Sequence, residues 1–164
     1  TIDVGGGSTE IAVGHVGRVY AAKSYPAGAV RMQNVSLEGP QRVWEETAPM
    51  WEPLPIEGLL GEFIAIGGTA TTLAAIDLKM ETYDPAQIQG HRLERGTIEA
   101  MILQLRYMSR EERLQVPGLQ PGRVDIIVPG AEIITSLMDT YQIGSIVVSE
   151  SDGLEGWQSQ YGGR

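Results

Sequence analysis

Apolar residues fall in short β-branched runs near both ends of the chain and in helix-period stripes between them. Residues 1–4 read as the end of a strand, and residues 10–14 and 18–24 as two strands joined by a hairpin at Gly14-His15-Val16-Gly17. Pro26-Ala27-Gly28-Ala29-Val30-Arg31 predicts entry into a helix, with the proline near its first turn. A short helix is expected over 41–47, followed by irregular chain, because Pro40, Pro49, Pro53 and Pro55 break this stretch. Trp44 and Trp51 within it require packing partners. Residues 62–66 form a buried strand that runs into Gly67-Gly68-Thr69 and an apolar helix over 70–76.

Ile98, Met101, Ile102, Leu105 and Met108 share one face of a helix over 97–108, with Thr97 as its cap and Glu99 in its first turn. Ser109-Arg110-Glu111-Glu112 has the spacing of a capping box, and Pro117 stops what it starts. Val124, Ile127, Val128, Ala131, Ile134, Met138 and Tyr141 recur with a helical period, but Pro129 inside them predicts a kink or a fresh start. Residues 143–149 close as a β-branched strand, and residues 153–161 as a short helix. Hairpin-linked strands followed by strand–helix alternation make this an α/β chain: a mixed, five-stranded sheet flanked by helices. A possible short strand around His91 stands outside that count.

Composition narrows the class. The chain has 164 residues, is 42% apolar and contains no long apolar run, which describes one folded domain without a membrane span. It begins with Thr1 rather than Met, so it is expected to be cut from a longer protein. With no cysteine, disulfides and thiolate metal sites are excluded, and a cytoplasmic location is expected. The formal net charge of −9 argues against nucleic acid as a partner.

The densest chemistry is Asp3-Val4-Gly5-Gly6-Gly7-Ser8-Thr9-Glu10. The amides of Gly5, Gly6, Gly7, Ser8 and Thr9 are placed to form an anion-binding concavity. Asp3 and Glu10 bracket it as hard oxygen ligands suited to Mg²⁺ held against phosphate. Gly67, Gly68 and Thr69 repeat the theme, with strand-end glycines opening a helix whose first amides face a ligand or serve a tight crossing. Arg31 is read as an exposed helix arginine, with reach to substrate phosphate as the alternative. Arg92, Arg95, Arg106, Arg110 and Arg113 form either a basic edge or a solvated helix face. His15 and His91 have no second ligand at metal spacing.

Five segments together resemble the Ppx/GppA family of exopolyphosphatases and guanosine pentaphosphate phosphohydrolases: residues 3–10, 26–32, 65–75, 122–131 and 148–156. The resemblance implies an RNase H-like domain of the actin-like ATPase fold. Residues 1–164 would then be the second, C-terminal half of a two-domain enzyme whose first domain is absent. It implies hydrolysis of a terminal phosphoanhydride in polyphosphate or guanosine pentaphosphate. In that reading Asp3 and Glu10 serve Mg²⁺, while Gly5 to Thr9 and Gly67 to Thr69 line the substrate phosphates. The general base would come from the protein's own N-terminal domain, leaving no catalytic residue in this chain and an isolated domain that is inactive.

The helix carrying Gly130-Ala131 resembles the family's connecting helix, with simple packing under the sheet as the alternative. Family members commonly end in Gly-Leu-Arg-Glu-Gly, whereas this chain reads Gly153-Leu154-Glu155-Gly156. Two other functions stay open at this point: a nucleotide- or alarmone-sensing module, and half of a kinase or ATPase of the same fold. A homodimer is possible, since a half-cleft exposes apolar surface.

Overall fold

The computed structural model describes residues 1–15, 18–51 and 61–150. The tail over 153–161 and the Gly153–Gly156 ending lie outside the described residues. Three strands open the chain: β1 (Ile2–Val4), β2 (Thr9–His15) and β3 (Arg18–Tyr25). They form an antiparallel meander, with a register shift between Val13 and Gly14. Helices α1 (Gln33–Leu37) and α2 (Arg42–Thr47) follow, and a 3₁₀ turn over Ala48–Met50 ends that excursion.

Strand β4 (Ile64–Ile66) pairs parallel to β1 and passes directly into α3 (Gly67–Asp77). Then come α4 (Pro85–Ile88), β5 (Arg92–Glu94), α5 (Arg95–Tyr107) and α6 (Arg110–Arg113). The long helix α7 (Ile127–Thr140) leads into β6 (Ser145–Val148), which lies parallel to β4.

The sheet order is β3-β2-β1-β4-β6-β5, a mixed sheet of six strands rather than five. The sixth is β5, antiparallel to β6 at the edge, with Leu93 facing Ile146. Its three residues carry no alternation long enough to stand out in the sequence; pairing with β6 makes the strand.

Strand alternation sorts the two faces. Ile2, Val4, Ile11, Ala65, Leu93, Ile146 and Val148 are buried toward the helices. There they meet Leu73 of α3, Ile98 and Leu105 of α5, and Ile134, Leu137 and Met138 of α7, all essentially inaccessible. Each such side chain contributes roughly 1.5–3 kcal/mol by leaving water. Asp3 and Glu10 occupy the alternate positions, on the opposite face.

Several local expectations change. The segment from Pro26 to Met32 is a run of turns and α1 begins at Gln33, because the backbone amides of residues 29–31 bond back to the Gly5–Gly6 loop instead of continuing a helix. Thr97 lies inside α5, whose N-cap is Glu94 without a side-chain bond. Pro129 is the third residue of α7, where a missing N–H costs no intrahelical bond, so the helix starts afresh instead of kinking. The capping box forms as expected: the Glu112 amide donates to Ser109 Oγ at 3.2 Å and the Ser109 amide to Glu112 Oε2 at 2.7 Å.

The two tryptophans diverge. Trp51 is buried, edge-on to Tyr25 at 5.0 Å, and its indole N–H donates to Ser136 Oγ at 3.0 Å. Trp44 is 47% exposed on α2.

Candidate phosphate site

The carboxyl ends of β1, β4 and β6, mutually parallel, meet at one edge of the sheet. Open α/β sheets bind ligands there, because the chain leaving each strand can present backbone groups outward. Here the glycine loop leaves β1, Gly67 leaves β4, and Ser149 and Glu150 leave β6.

The loop is braced from behind. The Gly5 amide donates to the Ser8 carbonyl at 2.9 Å, closing the turn. The Gly5 carbonyl accepts from Ala29, and the Gly6 carbonyl from Val30 and Arg31. The Gly7 carbonyl accepts from Arg31 Nε at 3.0 Å. Gly28 passes so close that any Cβ on it would overlap the Gly6–Gly7 backbone. With all three carbonyls bound on that side, the amides of Gly6, Gly7 and Ser8 make no hydrogen bond among the described residues. They form the concavity, and the expected contribution of Gly5 changes. The Gly5 amide is occupied inside the turn, and the Thr9 hydroxyl is fully buried, donating to the Ala27 carbonyl at 2.5 Å.

Asp3 and Glu10 face each other across β1 and β2. Direct cross-strand partners stand roughly 4.5–5.5 Å apart at Cβ. Glu10 is exposed, and its Oε1 accepts from Ser8 Oγ at 2.6 Å and Ser24 Oγ at 2.7 Å, which leaves Oε2 open. Asp3 is half-buried; burial first, and the facing Glu10 second, push its carboxyl above its ordinary pKa. Two carboxylates converging beside an anion cradle form an arrangement that a cation would relieve. Among the described residues no group of three or more His, Cys, Asp or Glu side chains gathers into a cage. Two carboxylates nonetheless suit Mg²⁺, which keeps several waters and completes its shell with substrate phosphate.

The second wall begins at Gly67, with φ of +78° and its α-carbon against the Asp3 carboxylate. The α3 N-terminus thus places its first amides, with their positive end of the helix dipole, beside Asp3. Thr69 does not line the wall with its hydroxyl: it is buried and donates to the Val4 carbonyl at 2.8 Å, pinning α3 to β1. Its methyl fills the space left by Gly130 of α7, which also abuts Ala29. In this structure Gly130-Ala131 therefore serves packing under the sheet.

Two arginines join this edge. Arg31, off any helix, holds Gly7 through Nε and leaves the rest of its guanidinium for a ligand. Arg123, not singled out by sequence reasoning, lays its guanidinium over Gly68. Only its place in the matched 122–131 segment signalled it. Near it, Tyr83 donates to the Glu150 carboxylate, and burial, then that bond, raises the Tyr83 phenol. Of the two readings of the remaining arginines, the basic edge does not form, since each is paired within the chain. Arg92 pairs with Glu62, Arg95 with Glu99 and Asp139, and Arg110 with Asp125. Arg106 pairs with Glu132, and Arg113 caps the Leu105 and Val124 carbonyls. His91 Nε2 pairs with Asp77 at 2.8 Å, and His15 ends β2 exposed.

The sequence profile of the Ppx/GppA phosphatase family matches residues 1–157. The chain belongs to the Ppx/GppA phosphatase family. It is 31% identical to exopolyphosphatase 2 of Mycobacterium tuberculosis over 94% of this chain and 53% of that protein. It is 29% identical to the bifunctional 3-dehydroquinate synthase/phosphatase of Fusobacterium nucleatum, over 94% of this chain and 24% of that one. In fold it is similar to the crystal structure of the Aquifex aeolicus Ppx/GppA family member, with a TM-score of 0.84, 24% identity and coverage of 99% of this chain and 56% of that one. An exopolyphosphatase from Cytophaga hutchinsonii matches with a TM-score of 0.78 at 21% identity, over 99% of this chain and 57% of its own. The chain thus spans about half the length of the M. tuberculosis relative and of these solved neighbours, and a quarter of the bifunctional one. The six-stranded mixed sheet flanked by helices is the α/β fold of these Ppx/GppA structures.

Proposed function

We propose that this chain forms one wall of a cleft that hydrolyses terminal phosphoanhydrides, in polyphosphate or guanosine pentaphosphate. The observation that carries the reading is the glycine loop: the Gly6, Gly7 and Ser8 amides stand open, braced from behind, beside the facing carboxylates of Asp3 and Glu10. Amides fixed before the ligand arrives stabilise charge developing on phosphate oxygens without reorganising.

Asp3 and Glu10 would hold Mg²⁺, which when bound neutralises charge on the phosphate oxygens. The loop amides and the α3 N-terminus orient the terminal phosphate, and Arg31 and Arg123 balance its negative charge from two sides. Glu10 is oriented for its part by Ser8 and Ser24, and Asp3 by the wall at Gly67. The general base that deprotonates water is assigned to the protein's own N-terminal domain, as the half-length match to exopolyphosphatase 2 supports. This chain alone would then be inactive. A chain without cysteine suits the cytoplasm, and among the described residues no helix is long and apolar enough to cross a membrane.

The test measures phosphate release from long-chain polyphosphate and guanosine pentaphosphate, with Mg²⁺ and with a chelator, for this chain and the full-length protein. Activity confined to the full-length protein, dependent on Mg²⁺ and lost in Glu10→Ala, is expected. Turnover by this chain alone would overturn the half-site reading.

A further inference from the structure

At the carboxyl end of β6, beside the phosphate site, one carboxylate is fixed by a phenol rather than by a cation. Glu150 is half-buried there, and its Oε1 accepts from the Tyr83 hydroxyl. The backbone is held as well: the Glu150 amide donates to Gln89 Oε1 at 2.9 Å. Oε2 has no hydrogen-bond partner among the described residues. Tyr83 is anchored in turn by a hydrogen bond with the Thr71 side chain of α3, and it lies within electrostatic reach of Arg123.

Arg123 supplies the contrast. Its guanidinium lies half-buried over Gly68, at the start of α3, with no hydrogen bond or ion pair among the described residues. Both charged groups stand near Tyr83, yet no ion pair joins them. Arg123 is left free for an anion, while Glu150 keeps its full charge at the same edge.

Nothing past Arg123 on this wall receives a further phosphate. A hollow of about 210 Å³ opens against Tyr83, lined by Met80, Leu119, Pro121 and Glu81, and no lysine or arginine lines it. Pro121 and Arg123 belong to one 3₁₀ turn (Pro121–Arg123), so this apolar and acidic hollow adjoins the guanidinium. The net charge of −9 adds to the same field. A phosphate chain carries negative charge along its whole length, so each added unit must find a cation or water. Selection works through what repels the wrong partner as well as what attracts the right one.

We propose that Glu150 is a chain-length selector, with Tyr83 as its positioning residue: a short phosphate chain ends at Arg123, and a longer one is turned back by the fixed carboxylate. The proposal rests on the phosphoanhydride reading above and narrows its substrates to short chains.

The test measures kcat/KM per chain end in the full-length protein with Mg²⁺, for inorganic triphosphate and for long-chain polyphosphate. The parent is expected to favour triphosphate. In Glu150→Gln the long chain should gain about threefold or more, the scale of one like charge near a surface, while triphosphate stays within about twofold. Tyr83→Phe keeps the ring and releases the carboxylate, so it should narrow the preference in the same direction, and it supplies the readout should Glu150→Gln not fold. A parent that favours long chains would overturn the proposal. So would a Glu150→Gln variant that alters both substrates alike, the mark of a structural role. Calorimetric titration of the same proteins with the same two phosphates separates the selector from the hydrolase reading. If neither phosphate is turned over, the hydrolase reading fails; long-chain binding that tightens in Glu150→Gln still supports the selector, and unchanged binding overturns it.

Discussion

The Asp3 carboxylate rests against the α-carbon of Gly67, so closely that a Cβ there would overlap Oδ1. Asp3 and Gly67 terminate neighbouring parallel strands, and their contact joins the carboxylate side of the site to its helix N-terminus. Gly67 also has φ of +78°, which an L side chain rarely adopts. Gly67→Ala should lose roughly 1–3 kcal/mol of stability from backbone strain alone, or about 2–4 °C of melting temperature per kcal/mol. Gly7→Ala, with open space around the added methyl, should melt near the parent temperature. Calorimetry of the pair separates strain from a general intolerance of the glycine motifs.

Asp3 should oppose folding at neutral pH. Burial, then Glu10, raises its carboxyl above the ordinary range. A carboxyl raised in the folded state gives its full stability below its unfolded pKa, and that stability falls as pH rises through the folded one. Asp3→Asn should therefore melt higher than the parent at about pH 7, with the difference vanishing at low pH. The same variant should lose phosphate release in the full-length protein. A lower melting temperature for Asp3→Asn at neutral pH would refute the electrostatic account.

Thr69→Val tests a hydroxyl that faces inward. Removing its bond to Val4 leaves a buried carbonyl unpaired, at about 1–3 kcal/mol. Stability should drop while KM of the folded full-length enzyme stays within about twofold, since the change amounts to less than 0.5 kcal/mol of binding. A large rise in KM without loss of stability would return Thr69 to the substrate wall.

Arg31→Ala and Arg123→Ala address the two cations at the site edge. A charge-assisted contact to phosphate contributes about 1.5–3 kcal/mol, so each should raise KM for polyphosphate about ten- to hundredfold. Arg31→Lys should not restore the loss, because a lysine lacks the Nε that holds Gly7 while the rest of the fork reaches outward. Steady-state kinetics on the three variants decide this.

Local rules read much of the fold from the sequence. The hairpin, the capping box at Ser109, the apolar stripe of α5 and the strand-to-helix passage at Gly67 rest on neighbours within a few residues, and the structure has them all. The resemblance carried by five dispersed segments named the family that the profile match shows. Strand β5 was legible only as a possible short strand around His91, and the turns over 26–32 were not, because their hydrogen-bond partners, β6 and the glycine loop, lie far along the chain.

By itself the sequence determined which residue types are available: a glycine run between two carboxylates, a second glycine pair opening a helix, and apolar periods able to bury one face of a sheet. Only the tertiary structure decided which of their atoms face outward. Thr9 and Thr69 turn their hydroxyls to carbonyls 18 and 65 residues away, so those hydroxyls are bound inside. Arg31 reaches across 24 residues to hold the loop, a contact that its place in the 26–32 segment did not specify. Spacing along a chain fixes a side chain's neighbours in its own strand or helix. Whether a polar atom is bound inside or left open depends on what another element brings against it, because a buried donor or acceptor must be paired where the fold closes.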